Sequence, residues 1–217
     1  RTAGLDPVEI DLHVMVGWRS TPTGSPLADV LDAAKSAGFE MLITRRRFTW
    51  TSVAGLPEVD PTLRFEPVSG VDDVDLIEAY RRTFSGTLDA HTIRSLQGQD
   101  AHQLAVDEVA DMAHYAGPPD GWRLAYDAAG ELVGLVTGGV QARGMIGYVG
   151  VVPEQRGHGY AGQLLSWMTR WLAEHGATEV IGETDDPNRP MGDAFVAVGY
   201  REEGGRIDLI RTAGAHG

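Results

Sequence analysis

The sequence predicts a mixed α/β fold with one central crossover, and three observations carry that prediction. Trp122 to Tyr126 and Glu131 to Thr137 are short apolar strands joined by Asp127-Ala128-Ala129-Gly130, a glycine-closed turn, so part of the sheet is antiparallel. Ala161, Leu164, Leu165, Met168, Trp171 and Leu172 share one face of a helix, the best-patterned segment of the chain, and strands flank it on both sides. At 217 residues and 42% hydrophobic, the chain can bury a real core, as one domain with an extension or as two small domains.

Taken in order, Val8 to Val16 is rich in β-branched and apolar residues and reads as a strand. Trp18 to Pro26 holds Ser, Thr, Gly and two prolines and is a loop. Leu27, Val30, Leu31 and Ala34 recur at helical spacing until Gly38 stops the helix. Phe39 to Trp50 is a strand carrying Arg45-Arg46-Arg47, and Gly55 to Pro61 is a linker. Leu63 to Val68 is a short strand. Val74, Ile77, Tyr80 and Phe84 mark a helix, and Leu104, Glu108, Met112 and Tyr115 a second one that Gly117-Pro118-Pro119 ends. After the hairpin, Gly138-Gly139 marks a bulge or a close backbone approach, and a turn near Arg143-Gly144 leads into the strand Met145 to Val152. Gly176 caps the amphipathic helix. Glu179 to Glu183 is a strand, Pro187 to Val198 a helix, and Tyr200 to Ile210 a final pair of strands.

Composition excludes several functions. A formal net charge of -13 repels a nucleic-acid duplex and leans toward cationic acceptors such as amines. The absence of cysteine rules out a disulfide scaffold, a thiolate metal site and a cysteine nucleophile. Histidines and carboxylates never cluster at metal-ligand spacing, so no metal is expected. No stretch approaches the roughly 18 apolar residues of a membrane span, and Arg1-Thr2-Ala3-Gly4 lacks the apolar core of a signal peptide. Cytoplasm is the expected compartment; oligomeric state is not readable.

The segment that carries chemistry runs from Val149 to Leu165 and contains Arg156-x-x-Gly159-x-Ala161, leaving a strand and opening a helix. The first turn of a helix has unpaired N–H groups and a partial positive charge, so a pyrophosphate can sit there, each contact contributing roughly 0.3–2 kcal/mol. Gly157 and Gly159 permit unusual φ values and let phosphate oxygens approach the backbone. Ala161 and Gly162 keep bulky side chains away. The segment matches neither the dinucleotide fingerprint nor the lysine-bearing phosphate loop, since no Gly-Lys-Ser/Thr follows.

Position by position it resembles the GNAT family of N-acetyltransferases, in which a strand ending in Val-x-Pro precedes Arg/Gln-x-x-Gly-x-Gly/Ala and a Leu-Leu helix. The resemblance covers about Leu63 to Ile210 and is strongest from Tyr148 to Tyr200. It implies a mostly antiparallel central sheet flanked by helices, and acetyl-CoA as co-substrate. It also implies that Val149, Gly150 and Val151 contact the pantetheine and thioester from a splayed strand, while Arg156, Gly157, His158, Gly159, Tyr160, Ala161 and Gly162 form the pyrophosphate loop. His158 fills a variable position of that pattern. Asn188-Arg-Pro-Met191-x-x-x-Phe195-x-x-x-Gly199-Tyr200 resembles the family's Asn-x-x-Ala-x-x-x-Tyr-x-x-x-Gly-Phe, which assigns Asn188 to the cofactor. Phe195 stands where the family's tyrosine protonates the departing thiolate, and a phenyl ring has no proton to give. Tyr200 is expected to be a core aromatic with a wet hydroxyl.

An amine must lose a proton before it attacks a thioester. A lysine-like amine is neutral only in a few parts per ten thousand at pH 7, a penalty of about 4–5 kcal/mol, which a positioned base offsets in part, typically by about 10²- to 10⁴-fold in rate. Glu183, at the end of its strand and five residues before Asn188, is the candidate base. Asp185 and Asp186 are alternatives, although an acidic pair before Pro187 also suits a helix cap. Thr87, Asp89 and His91 lie where relatives bind acceptor, or in an ordinary polar loop.

Residues 1–60 fall outside the 61–217 acetyltransferase-like domain. Pro26-Leu27, a helix, Gly38-Phe39 and a strand echo Pro190-Met191, a helix, Gly199-Tyr200 and a strand, so the extension is either a remnant second half that extends the sheet or a chance likeness. The functional expectation is acetyl transfer from acetyl-CoA to a primary amine of a small molecule or peptide. The alternative is a non-catalytic CoA-binding regulatory or interaction module.

Overall fold

The computed structural model describes residues 8–16 and 26–213. Eight strands form one sheet: β1 (Val8–Val16), β2 (Glu40–Thr51), β3 (Arg64–Pro67), β4 (Arg123–Tyr126), β5 (Leu132–Val140), β6 (Gly144–Val151), β7 (Glu179–Asp185) and β8 (Arg201–Ala213). Their spatial order is β1-β8-β2-β7-β6-β5-β4-β3. Every pairing is antiparallel except β6–β7, the product of the crossover through α5 (Tyr160–Glu174); the connections β1 to β2 and β7 to β8 each pass over one strand as well, so the sheet has more than the one central crossover expected. The remaining helices are α1 (Pro26–Ser36), α2 (Val74–Thr83), α3 (Ala90–Ser95), α4 (Ala101–Ala116) and α6 (Arg189–Ala197).

The helices cover both faces. On one, Leu164, Leu165, Met168 and Leu172 of α5 and Phe195 of α6 pack on Phe48, Trp50, Val136 and Ile146. On the other, Leu76 and Tyr80 of α2 and Val109 of α4 pack on Trp122, Leu124 and Leu135. Each fully buried side chain of this size stabilises the fold by about 1.5–3 kcal/mol. Asp73, Asp89 and Asp100 start α2, α3 and α4 by accepting first-turn N–H groups on their carboxylates. No helix among the described residues is long and apolar enough to cross a membrane.

Three expectations need correction. Thr87 to His91 is not wholly loop, because the Asp89 cap launches the short helix α3. The strand expected to end at Thr137 runs on to Val140, so Gly138 and Gly139 lie inside β5. The expected bulge and close approach are both there, because the ladder slips between Thr137 and Gly138 with Gly147 the extra residue on β6, and a Cβ on Gly139 would stand 1.8 Å from the Ala116 carbonyl oxygen. Finally, Tyr200 to Ile210 is not two strands. β8 runs straight through Gly204-Gly205, with a bulge opposite Arg47 and Phe48. A Cβ on Gly205 would stand 2.0 Å from the Arg45 carbonyl, so this glycine serves close strand approach rather than chain reversal.

The strand that pairs with both β7 and β8 is β2, from the front of the chain. The units β1–α1–β2 and β7–α6–β8 have the same strand–helix–strand order, and the strand order β1-β8-β2-β7 is symmetric about the β2–β8 pair, where Arg45 faces Arg206. Residues before the linker therefore supply both the outer edge strand, β1, and an inner strand, β2, of this half of the sheet. The linker is tied to α5, since the Asp60 N–H donates to Gln163 Oε1 at 2.7 Å.

Candidate active site

The parallel pair β6–β7 holds together only at Gly144–Val180 and Met145–Ile181. Beyond that point β6 continues to Val151 paired with β5 alone, and β7 continues to Asp185 paired with β2 alone. The bulge at Gly147 turns β6 away, and the two facing edges part as a fork. Their backbone polar groups are an extended template for a polar chain laid between them. Gly182 sits at the crotch, where the buried Phe195 ring, only 1% exposed, approaches so closely that a Cβ there would meet it at 2.6 Å.

At the open end of the fork the chain makes a 3-10 turn at Pro153–Gln155 and enters α5. Gly157 and Gly159 have φ of +83° and +80°, and no atom lies within 4 Å of where a Cβ would stand on either. Gly159 is the N-cap of α5, and no side chain caps that helix. The β6 edge of the fork and the loop are two walls of one cleft of about 640 Å³. It is lined by Val149, Gly150, Val151, Arg156, Gly157, Gly159, Tyr160, Ala161, Gly162 and Asn188, together with Thr83, Gly86, Thr87 and Leu88 on one side and Pro190, Met191 and Ala194 of α6 on the other. The dimensions and chemistry suit CoA: uncapped amides with bare glycines for a diphosphate, and free strand edges for an amide-bearing arm.

Among the residues assigned to the cofactor and the candidate base, His158 and Glu183 are not cleft-lining. His158 is exposed, with Nδ1 3.3 Å from the Gln155 carbonyl. Arg156 does line the cleft, but its guanidinium donates to the carbonyls of Val151 (3.0 Å), Gly86 (3.1 Å) and Thr83 (2.8 Å), which pins the loop to the end of α2. Asn188 caps α6, its Oδ1 accepting the Met191 N–H at 3.3 Å, so the acidic pair before Pro187 is not the cap. Tyr200 is in the core, as expected, but its hydroxyl is dry: it lies 2.6 Å from Thr169 Oγ1.

Glu183 and Asp185 belong to a polar platform on the other side of the sheet. Arg46 reaches Gly192 of α6, and Phe48 stacks on Phe195 at 4.8 Å; Arg45 and Arg47 alternate to the α3–α4 side. There Arg47 Nη2 lies 2.7 Å from Glu183 Oε1, and Arg206 Nη1 lies 3.2 Å from Glu183 Oε2. Arg45 Nε lies 3.1 Å from Asp185 Oδ1, close enough for charge attraction but too bent for a hydrogen bond. The other Asp185 oxygen accepts the Ala90 N–H at 2.7 Å, which ties α3 to the tip of β7. Burial raises the Asp185 carboxyl above its ordinary value, Asp89 adds to this, and Arg45 opposes it.

Sequence reasoning missed Tyr148. It projects from β6 into the cleft, stacks on Tyr80 at 4.6 Å and bonds Thr83 Oγ1 at 2.8 Å; its burial pushes the phenol well above its ordinary value. The cleft-facing residues of α6 were also missed, although their spacing on the helix that Asn188 opens could have found them. Among the described residues no group of three or more histidines and carboxylates could hold a metal ion.

Comparison with known proteins places this geometry. A sequence profile described as the acetyltransferase (GNAT) family matches residues 75–200. No curated protein matches significantly. Among solved structures, a GCN5-related N-acetyltransferase from Sphaerobacter thermophilus aligns with a TM-score of 0.64 at 19% identity, over 95% of this chain and 60% of that one. A tandem GNAT protein from the clavulanic acid biosynthesis pathway aligns at 0.60 and 18%, over 96% and 65% respectively. A GCN5-related N-acetyltransferase from Kribbella flavida aligns at 0.57 and 15%, over 96% and 68%. The chain thus spans about two thirds of the length of these structures, and at such identities the likeness is one of fold.

Proposed function

The chain belongs to the acetyltransferase (GNAT) family, and we propose that it moves an acetyl group from acetyl-CoA to a primary amine by direct attack within a ternary complex. The observation that carries this reading is the fork between β6 and β7 opening onto an uncapped, glycine-lined helix start. Acetyl-CoA supplies an activated thioester. The first-turn amides of α5 hold its diphosphate, the free edge of β6 at Val149–Val151 aligns its arm, and Asn188 and the cleft face of α6 close the second side. Backbone N–H groups at the bulge polarise the thioester carbonyl.

The acceptor enters from the platform side, between β7 and the α3–α4 layer. Excess negative charge over the chain draws a cationic amine toward it. The candidate base Glu183 faces that side, but both of its oxygens carry guanidinium partners. Glu183→Gln decides its part: loss of turnover with CoA affinity kept makes it the base, and full turnover removes it.

A second reading, a CoA-binding module without turnover, draws on Phe195, which leaves the departing thiolate without the family's tyrosine. Thiol release from acetyl-CoA over a panel of primary amines separates the two. Release above the rate without amine supports the enzyme, whereas CoA binding with no release on any amine supports the module.

A further inference from the structure

We propose that His91 accepts the proton of the incoming amine and that Asp208 positions it, an inference that rests on the acetyl-transfer reading above. His91 is the second residue of α3, and its Nε2 lies 3.0 Å from Asp208 Oδ2 on β8. Asp208 is fully buried, at 0% exposure, and Arg206 Nε stands 2.8 Å from its other oxygen. The Arg206 contact is an ion pair without a hydrogen bond, and the ionised carboxylate is an acceptor only. It accepts the Nε2–H hydrogen bond, which favours that tautomer and leaves Nδ1 with its lone pair. The His91 side chain is 30% exposed, so the ring is open to solvent.

His91 is not itself among the cleft-lining residues, but its helix follows them in the chain. The Ala90–Asp185 bond fixes α3 over the tip of β7, next to the cleft-lining Thr87 and Leu88. A continuous chain of ion pairs, Glu183–Arg206–Asp208–His91, runs from beside the fork to the imidazole. Glu183 has a guanidinium on each oxygen; His91 has one ring nitrogen committed and one available.

The groups around the ring tune it in the required direction. The bond to Asp208 is the largest influence and lifts His91 above the ordinary imidazole value; burial and Arg45 oppose it, and Asp89 adds to it. Glu108 faces it from α4. Burial pushes Asp208 up, but His91, Arg206, His13 and Arg45 together hold it below the usual carboxylate range. A base whose conjugate acid titrates above an ordinary histidine can work near neutral pH.

In the step itself the substrate ammonium gives one proton to His91 Nδ1, and the freed nitrogen lone pair bonds the thioester carbonyl carbon. The C–S bond breaks, the surplus proton on the new amide nitrogen passes to the thiolate sulfur through water, and His91 releases its proton to solvent.

The test uses the full chain, acetyl-CoA and spermidine, tyramine and lysine as acceptors, with His91→Gln, His91→Ala and Asp208→Asn. His91→Gln is expected to lower kcat by about 10²-fold or more, to leave the KM for acetyl-CoA unchanged and to abolish the acid limb of the kcat/KM profile. Asp208→Asn should move that limb to lower pH. Added imidazole should restore part of the His91→Ala rate. Ring ¹⁵N NMR should find His91 titrating above free histidine in the wild type, and lower in Asp208→Asn. Full turnover or an unchanged acid limb in His91→Gln, or no rescue by imidazole, would overturn the proposal and leave acetyl transfer standing. Absence of thiol release by the wild type on every amine would overturn both.

Discussion

Replacing Gly159 by alanine separates the cost of backbone strain from the cost to the ligand. Gly159 has φ +80°, and no atom lies within 4 Å of the new methyl. Folding therefore loses only the left-handed penalty, about 1–2 kcal/mol, which lowers the melting temperature by roughly 2–8 °C in a chain of this size. CoA loses more, because the methyl stands where a phosphate oxygen must approach the amides. One charge-assisted bond lost is worth about 1.5–3 kcal/mol, or roughly 10- to 100-fold in Kd. Gly176, just past the other end of α5, supplies the control: its φ is +97°, its Cβ position is also empty, and it is remote from the cleft. Gly176→Ala should melt as much earlier as Gly159→Ala does and bind CoA as the wild type does. Calorimetry with CoA and thermal melts of both variants read this out. Equal effects of the two substitutions on CoA affinity would refute the assignment of the loop.

Arg156→Lys should cost about 1–3 kcal/mol of stability and weaken CoA severalfold, because an ammonium cannot span the carbonyls of Val151, Gly86 and Thr83; denaturant melts and CoA titration check both, and no change in either would show the clamp to be idle. Glu108 tests the electrostatics of the α4 wall. Burial first, then Asp89 and Asp111, push its carboxyl up to about 7. Between about pH 4.5 and 7 the folded protein keeps a proton that the unfolded chain has lost, so stability falls as pH rises through that window, by up to about 3 kcal/mol. Glu108→Gln should therefore raise the urea midpoint at pH 8 and leave it nearly unchanged at pH 4.5; an equal shift at both would contradict the shifted carboxyl.

The sequence reported local signals faithfully and long-range ones poorly. Val8–Val16 and the α5 stripe were legible because alternation and helical spacing are local properties. The glycine loop was legible because Gly157 and Gly159 are required by backbone conformation rather than by distant packing. The division of Tyr200 to Ile210 into two strands failed because nothing local tells a glycine pair in a turn from one at a close strand approach, and only the position of the Arg45 carbonyl decides. Glu183 was placed on its strand, but its two arginine partners come from β2 and β8, and nothing local announces them. His91 and Asp208 are 117 residues apart, so their pairing became visible only once β8 and α3 were in place. Residues 1–7, 17–25 and 214–217, including the Arg1-Thr2-Ala3-Gly4 start and most of the expected Trp18 to Pro26 loop, lie outside the described residues.

A crystal structure of the chain with bound CoA tests the central claim most directly. The account predicts the diphosphate on the backbone amides of residues 157–162 and the pantetheine arm threaded between the parted edges of β6 and β7, with its sulfur near Gly147 and Gly182. CoA bound elsewhere, or a β6–β7 pair zipped shut through Val151 and Asp185, would contradict it.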